Sequence, residues 1–340
     1  MTRDSNLDTL RVAAAFAVVL LHVCAGVVNA GPTEHASGWW LADVIESATR
    51  WCVPVFVMVS GALLLGRPIS SPREFYRRRG ARLLVPLLAW SAVYAALSAY
   101  LSRDLEWTTV ARAIMTEVPY YHLWYLYMLV GLYLVVPFLR AFVASASPAL
   151  IGWFLIVGFA LAVSDDVASR VPGGTAASIF VVRFLLYVPY LVAGHFLRGL
   201  PASAPPPRVL LLSIAGGCVA VIALLVGLLA PRLDHLSWEI MYSYLNPLVV
   251  LMSLCVFRIG ITQPLRSARA IALVRRIAPL TLGVYLVHPL WLEGMRRVGL
   301  YGSALHPAFG IPVTALLAFG LSCFTTAALA KVPYLRATVR

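Results

Sequence analysis

The stretch LDTLRVAAAFAVVLLHVCAGVV, residues 7–28, decides the fold class, because it is long and apolar enough to cross a bilayer as one helix. Two basic side chains, Arg11 and His22, lie within it. On a helix that turns about 100° per residue, their separation of eleven residues corresponds to a rotation about 20° larger than three full turns. Both side chains therefore lie on one helical stripe, roughly 16 Å apart. Ionisable groups at this depth are expensive in lipid and usually face a protein interior where they act on a substrate. The first helix therefore indicates a membrane enzyme or a transporter.

The composition excludes an ordinary soluble protein, since 61% of the residues are hydrophobic and only 12% are charged. The mean hydropathy of +0.85 agrees with this. We predict an all-α, polytopic membrane protein that forms a single domain over residues 1–340, with about twenty residues in each span. The ten predicted spans are 7–29, 39–65, 83–101, 122–139, 149–164, 178–197, 208–230, 237–257, 277–293 and 309–330, of which the fifth is short.

Basic residues set the predicted orientation, because the cytoplasmic loops of membrane proteins are enriched in lysine and arginine. With a cytoplasmic N-terminus, the cytoplasmic segments hold 18 of the 27 Lys and Arg residues, and the external loops hold 6. Both termini are therefore expected in the cytoplasm. The net charge of +13 is then mainly a topology signal, and the sequence offers no basic soluble domain that would bind nucleic acid.

The polar stripe of the first span begins with Asp8, which can pair with Arg11 at i, i+3 spacing. Between Arg11 and His22 the stripe carries small side chains that leave room for a narrow substrate, namely Ala14, Ala15 and Val18. Two simpler interpretations stay open. Arg11 can reach the cytoplasmic interface and mark the start of the helix, and His22 can be a core histidine bonded to a neighbouring helix.

A second histidine, His288, lies in another predicted span at a depth similar to that of His22. Two neutral imidazoles at matched depth can serve as a general base and its positioning partner. Pro289 frees a backbone carbonyl one turn earlier, so a structural histidine bonded to that carbonyl is an equal alternative. In the second span Glu46 and Arg50 are four residues apart, and we expect them to pair in the wall of a polar outer vestibule or at the interface.

A dense basic loop contains Arg78, Arg79 and Arg82, and a later pair, Arg275 and Arg276, precedes the span of the second histidine. Arginine forks bind phosphates well, so a nucleotide-like donor such as coenzyme A can dock there. Contact with anionic membrane lipid is the simpler interpretation.

The five cysteines are scattered singly through apolar spans without paired spacing. We interpret them as small buried hydrophobic residues, and we expect no metal site. A catalytic thiol at Cys24 is disfavoured, because an offset of two residues turns it about 200° away from His22 on a helix.

Taken in order, several motifs resemble the acyltransferase 3 family of membrane proteins, and they extend over most of the chain. They are Leu7-Asp8-Thr9-Leu10-Arg11 followed by His22, the run from Val55 to Leu63, Phe75 with Arg78, Arg79 and Arg82, His122-Leu123-Trp124-Tyr125-Leu126-Tyr127, and Gly283 to Pro289. Thr9 departs from the pattern, because relatives usually carry glycine there. The appended extracytoplasmic domain of some members is also missing from this sequence.

The resemblance implies transfer of an acyl group, commonly acetyl, from cytoplasmic acetyl-CoA to a hydroxyl of a cell-surface or secreted glycan or a lipid-linked saccharide. It also implies a multi-pass protein of the inner, cytoplasmic cell membrane. The interpretation places donor phosphates on Arg78, Arg79, Arg82, Arg275 and Arg276, with the pantetheine arm along the stripe of small residues.

In the same interpretation His22 removes the hydroxyl proton or carries the acyl group, and Arg11, held by Asp8, orients the donor. His288 or Glu46 positions the acceptor. Two other classes stay open, a secondary transporter or exporter of a sugar-linked solute and a structural or sensory membrane protein. The acceptor, the acyl chain and the oligomeric state are not determined by the sequence.

Overall fold

The computed structural model describes residues 4–31, 36–69, 71–102, 119–170, 180–201, 206–232, 238–304 and 306–339. Throughout these ranges the secondary structure is helical, which confirms the all-α class. The α-helices are α1 (Ser5–Val28), α2 (Ala36–Thr49), α3 (Cys52–Leu64), α4 (Pro72–Ser102), α5 (Trp124–Ser145), α6 (Pro148–Ala168), α7 (Val188–Gly199), α8 (Arg208–Leu229), α9 (Pro247–Thr262), α10 (Ala268–Ile277), α11 (Thr281–Arg297), α12 (Pro307–Leu329) and α13 (Pro333–Arg336). Short 3-10 helices cover Phe180–Tyr187, Ile240–Tyr242 and Ala278–Leu280.

Nine helices or helix pairs in the described part of the chain are long and apolar enough to cross a membrane, against ten predicted spans. The sixth predicted span, 178–197, is wrong as a single helix. The chain there forms the 3-10 helix Phe180–Tyr187 and then α7, which starts with a proline among its first two residues. The fifth prediction was too short, because α6 has 21 residues and begins at Pro148 with the Ser147 side chain as its cap.

Helix α1 lies in the middle of the helix packing, against α2, α3, α9, α10, α11 and α12. Its start is fixed by Asp4, whose carboxylate accepts hydrogen bonds from the amides of Asn6 at 3.1 Å and Leu7 at 3.2 Å. The helix then runs unbroken to Val28, so the spacing argument that places Arg11 and His22 on one stripe applies. The central position of α1 buries Asp8 and brings the His22 ring against His288 in the interior.

The second predicted span is interrupted between α2 and α3, at Arg50 and Trp51. Pro54 explains the interruption, because it lacks the amide hydrogen that would bond to the Arg50 carbonyl and its ring crowds that carbonyl. Broken membrane helices often lie beside substrate sites, since irregular backbone is tolerated where it borders a cavity. The break places Arg50 at the wall of the cavity described below.

Candidate functional site

Three histidines from different parts of the chain meet in the interior. The ring of His22 lies 5.2 Å from that of His288, centroid to centroid, and the two planes are 17° apart. The His288 ring also contacts that of His122 at 5.6 Å, and Tyr121 lies edge-on to His22 at 4.9 Å. The structure therefore brings together the two histidines that the sequence placed at similar depth, and it adds His122. Sequence reasoning used His122 only as part of a family motif.

The protonation of His288 follows from its backbone contacts. Its Nδ1 lies 2.7 Å from the Tyr285 carbonyl oxygen and 3.2 Å from the Val284 carbonyl oxygen, so Nδ1 carries the hydrogen and donates. Pro289 is the reason that the Tyr285 carbonyl is free to accept, because proline cannot supply the helical amide hydrogen. The hydrogen bond from His288 to the carbonyl that Pro289 frees, expected if His288 has a structural role, is thus present. Its Nε2 keeps a lone pair and has no hydrogen-bond partner among the described residues.

This arrangement predicts different stabilities for two substitutions of His288. His288→Ala leaves the Tyr285 carbonyl without its buried donor, and we expect a loss of about 2 kcal/mol in unfolding free energy. His288→Asn retains an amide N–H near the position of Nδ1 and is expected to recover most of that loss. Thermal unfolding of both variants in detergent measures the difference. An asparagine variant as unstable as the alanine variant would contradict the assigned hydrogen bond.

A large cavity of about 890 Å³ reaches His22. It extends to the exposed residues Asp165 and Arg170 at the C-terminal end of α6. Aromatic side chains make up much of its wall and are joined by several charged or amide groups: Tyr121, Trp124, Tyr127, Phe184, Tyr187, Tyr242, Tyr244, Asn29, Glu46, Arg50, Asp166 and Glu239. A pocket of this size, with flat apolar surfaces and a few polar groups, is typical of a small-molecule site. The cavity confirms the polar vestibule expected beside Glu46 and Arg50.

One wall of the cavity is a buried charged group centred on Arg50. Its guanidinium forms an ion pair with Glu46, which is 1% exposed, and lies 4.1 Å above the Tyr242 ring. The Tyr242 hydroxyl donates a 2.5 Å hydrogen bond to Asp43, which also accepts one from Ser47. The pairing expected from the i, i+4 spacing is confirmed, and its buried location favours the vestibule over the interface.

Below His22, toward Arg11, the interior is filled by aromatic side chains. A void of about 20 Å³ remains there, enough for about one water molecule. Tyr125 and Tyr285 border this void with ring centroids 5.3 Å apart, and the Tyr285 hydroxyl donates to the His122 carbonyl oxygen. We call Tyr125, Tyr244 and Tyr285 the aromatic floor.

The expected route along the stripe of small residues is wrong for this structure. Ala14 is 0%, Ala15 2% and Val18 4% exposed, so these side chains are packed in the interior instead of lining an open passage. The physical reason is that small side chains let neighbouring membrane helices approach closely. The Arg11 side chain, 37% exposed, lies beyond the aromatic floor and outside the cavity that reaches His22.

Arg11 lies near the start of α1, where its guanidinium is 4.0 Å from the Asp8 carboxylate. Asp8 itself is buried, with 6% of its surface exposed. Arg11 and Arg79 both act electrostatically on Tyr133, so they lie on the same side of the protein. We call this side the basic end.

The other predicted donor-binding arginines are more exposed. Arg78 pairs with Glu74 one turn earlier, and Arg82 is solvent-accessible. Arg275 and Arg276 lie exposed in the last turn of α10, which packs against α1. Arg79 is half-buried near Tyr133, while the remaining four arginines are exposed.

The cysteines are free thiols, and four of the five are buried, as expected for small hydrophobic residues. Cys24 is 0% exposed and lies outside the residues that border the cavity. In the ranges that the structure covers, no group of three or more His, Cys, Asp or Glu side chains is arranged to hold a metal ion.

The fold and this site define a class of protein. It is a polytopic helical membrane protein with a polar and aromatic cavity that ends at His22, which stacks on the buried His288. A family model described as an acyltransferase domain matches residues 4–330, nearly the whole chain. The chain belongs to the acyltransferase 3 family, and it is a membrane acyltransferase. This confirms the resemblance drawn from the motifs and favours an enzyme over the transporter and the structural protein. No curated protein and no solved structure matches the chain.

Proposed function

We propose that this acyltransferase moves an acetyl group from cytoplasmic acetyl-CoA to a hydroxyl of a cell-surface or secreted glycan, or of its lipid-linked precursor. The observation that carries the proposal is the position of His22 at the inner limit of a large cavity, beside a second histidine with an unpartnered Nε2. A neutral imidazole has a free ring nitrogen that can take the proton of a hydroxyl nucleophile. The protein then acts in the inner cell membrane.

The cavity wall supports a saccharide acceptor. Trp124 and Tyr244 stack at 5.6 Å with planes 27° apart, and Tyr187 lies 5.8 Å from Trp124. Such flat rings match the apolar faces of a sugar, while Glu46 and Asn29 supply polar groups for its hydroxyls. In this proposal Glu46 positions the acceptor, whose reacting hydroxyl points to His22. His288, which does not border the cavity, fixes the His22 ring by stacking against it.

The basic end supports a coenzyme A donor. Arg78, Arg79 and Arg82 present guanidinium groups suited to phosphates, with Arg275 and Arg276 adding charge from α10. Arg11, held near Asp8, orients the donor as it passes into the protein. Because the aromatic floor separates Arg11 from His22, the donor arm requires a displacement of Tyr125 or Tyr285 to reach the histidine. The basic end is accordingly the cytoplasmic end.

Reconstitution of the full chain in sealed vesicles tests this proposal. Acetyl-CoA is supplied on the basic side, and short isoprenoid-linked disaccharides and methyl glycosides are supplied on the other. We expect release of coenzyme A thiol together with one acetyl group on a saccharide, found by mass spectrometry.

Three outcomes of this experiment would contradict parts of the proposal. Consumption of longer acyl-CoA alone would exclude acetyl as the transferred group. Acetylation that requires donor and acceptor on one side would contradict the arrangement across the membrane. If no acyl-CoA releases its thiol, the donor assignment fails.

A further inference from the structure

The cavity has a cation beside the histidines that the proposed proton transfer does not use. Among the described residues that line the cavity, the arginines are Arg50 and Arg170. Arg170 is exposed at the end of α6 and pairs with Asp166. Arg50 is 12% exposed, and its guanidinium lies 5.9 Å from the ring of Tyr244, which borders the same small void as His22. Arg50 is therefore the cation that lies near the place of reaction.

The surroundings of Arg50 hold its guanidinium in a fixed position. Glu46 binds one terminal nitrogen, Tyr242 packs under the plane at 4.1 Å, and Tyr244 lies at 5.9 Å. A guanidinium has five N–H donors, so this single ion pair leaves most of them available. Its buried Nε has no hydrogen-bond partner in the part of the chain that the structure describes. The group is thus preorganised, with donor capacity left unused.

Acyl transfer requires stabilisation of negative charge at one oxygen. When the acceptor hydroxyl attacks the thioester carbonyl carbon, a C–O bond forms, the hydroxyl proton moves to His22, and the carbonyl electron pair becomes an oxyanion. Collapse then breaks the C–S bond, and the imidazolium returns the proton to the leaving thiolate. Fixed donors aimed at such an oxyanion are among the largest contributions to catalysis, particularly where water is excluded.

We propose that Arg50 is a catalytic residue whose guanidinium donates hydrogen bonds to the thioester oxygen as it becomes an oxyanion beside His22. This inference rests on the proposed function and adds the group that stabilises its transition state. Glu46 has a second role in this arrangement, because it keeps Arg50 in place. An acyl-histidine intermediate would place the same demand on Arg50, since its formation passes through an equivalent oxyanion.

Kinetics of Arg50 variants in the vesicle assay test the inference. Arg50→Gln is expected to lower kcat by about 10²- to 10³-fold, with KM for acetyl-CoA changed by less than about threefold. Arg50→Lys retains a charge without the planar fork and is expected to recover part of the loss. Arg170→Gln is the matched control, since it removes an arginine from the exposed end of the same cavity. Its kcat is expected within about threefold of the native enzyme.

A second design covers the case in which a lone Glu46 carboxylate prevents folding of Arg50→Gln. The double variant Glu46→Gln, Arg50→Gln removes both buried charges. It is compared with Glu46→Gln alone, in which the amide oxygen still accepts a hydrogen bond from Arg50 and Tyr242 still packs under the guanidinium. The ratio of kcat between the single and the double variant measures the contribution of Arg50 to catalysis. We expect kcat to fall by at least about 10²-fold.

The outcomes of these comparisons are distinguishable. Similar kcat values for the double and single variants, or a rise in KM alone, would overturn the role of Arg50 while leaving acyl transfer intact. Native enzyme that releases no thiol from any acyl-CoA would overturn the proposed function and this inference together.

Discussion

We expect His22→Ala to lower kcat for acyl transfer by about 10²- to 10⁴-fold, the range for loss of a general base. His22 borders the large cavity, so its ring is accessible to a substrate. The ring also stacks on that of His288, which holds it in place. Among the described residues no other histidine borders this cavity, because His122 and His288 lie outside its lining. Thiol release from acetyl-CoA at equal protein concentration measures the effect.

The matched control for this substitution is Cys24→Ala on the same helix. Cys24 is fully buried, and its removal also tests the alternative of a catalytic thiol. We expect the activity of Cys24→Ala to stay within about threefold of native, as for other small changes away from a reaction centre. His22→Ala with more than a tenth of native activity would remove His22 from the mechanism. A large loss in Cys24→Ala would favour the thiol instead.

The second large effect concerns stability and arises where α3 and α7 touch. A Cβ atom added at Gly61 would lie 1.8 Å from the Leu191 carbonyl oxygen, and one added at Gly194 would lie 1.9 Å from the Met58 carbonyl oxygen. Both obstacles are backbone atoms, so the two helices must separate to admit a methyl group. Small residues at such crossings allow the close packing on which membrane helix association depends.

We therefore expect Gly194→Ala to destabilise the protein by about 3 kcal/mol, at the upper end for overpacking of a core. Because α3 begins directly after Arg50 and Trp51, the displacement also disturbs the ion pair with Glu46. Thermal unfolding in detergent, with size-exclusion chromatography, measures the loss of the folded form.

Gly217→Ala provides the control for the glycine substitution. Gly217 is exposed in α8, and a Cβ added there meets nothing within 4 Å. We expect a neutral or slightly stabilising effect, since alanine is the better helix former by about 1 kcal/mol. Equal thermal-unfolding midpoints for Gly194→Ala and Gly217→Ala would show that α3 and α7 do not pack as closely as the structure places them.

Much of the fold followed from the sequence because membrane insertion depends on local properties. Nine of the ten predicted spans correspond to helices that can cross a membrane. The exception, 178–197, contains Pro189, and its chain changes from a 3-10 helix to α7 near that residue. A hydropathy pattern reports how apolar a segment is but not whether its backbone stays one helix. The interruption at Pro54 was missed for the same reason, although the missing amide hydrogen was visible in the sequence.

The candidate site followed from the sequence only in part. The pairs Asp8 with Arg11 and Glu46 with Arg50 were predictable, since i, i+3 and i, i+4 partners share a helix face. The aromatic floor was not predictable, because Tyr125 and Tyr285 come from helices far apart in the chain. The role of His122 in the cluster was missed for the same reason. A histidine followed by aromatic residues at the start of a span was the available signal.

The sequence by itself determined an all-helical membrane protein, its basic end and the face of α1 that carries Arg11 and His22. These features depend on transfer of side chains into lipid and on hydrogen bonds within one helix, both of which act over a few residues. Only the tertiary structure decided that His22, His122 and His288 meet, that Arg50 lines the same cavity as His22, and that aromatic rings close the route to Arg11. Those contacts depend on which helices become neighbours, and that choice is the sum of many small packing energies along the whole chain.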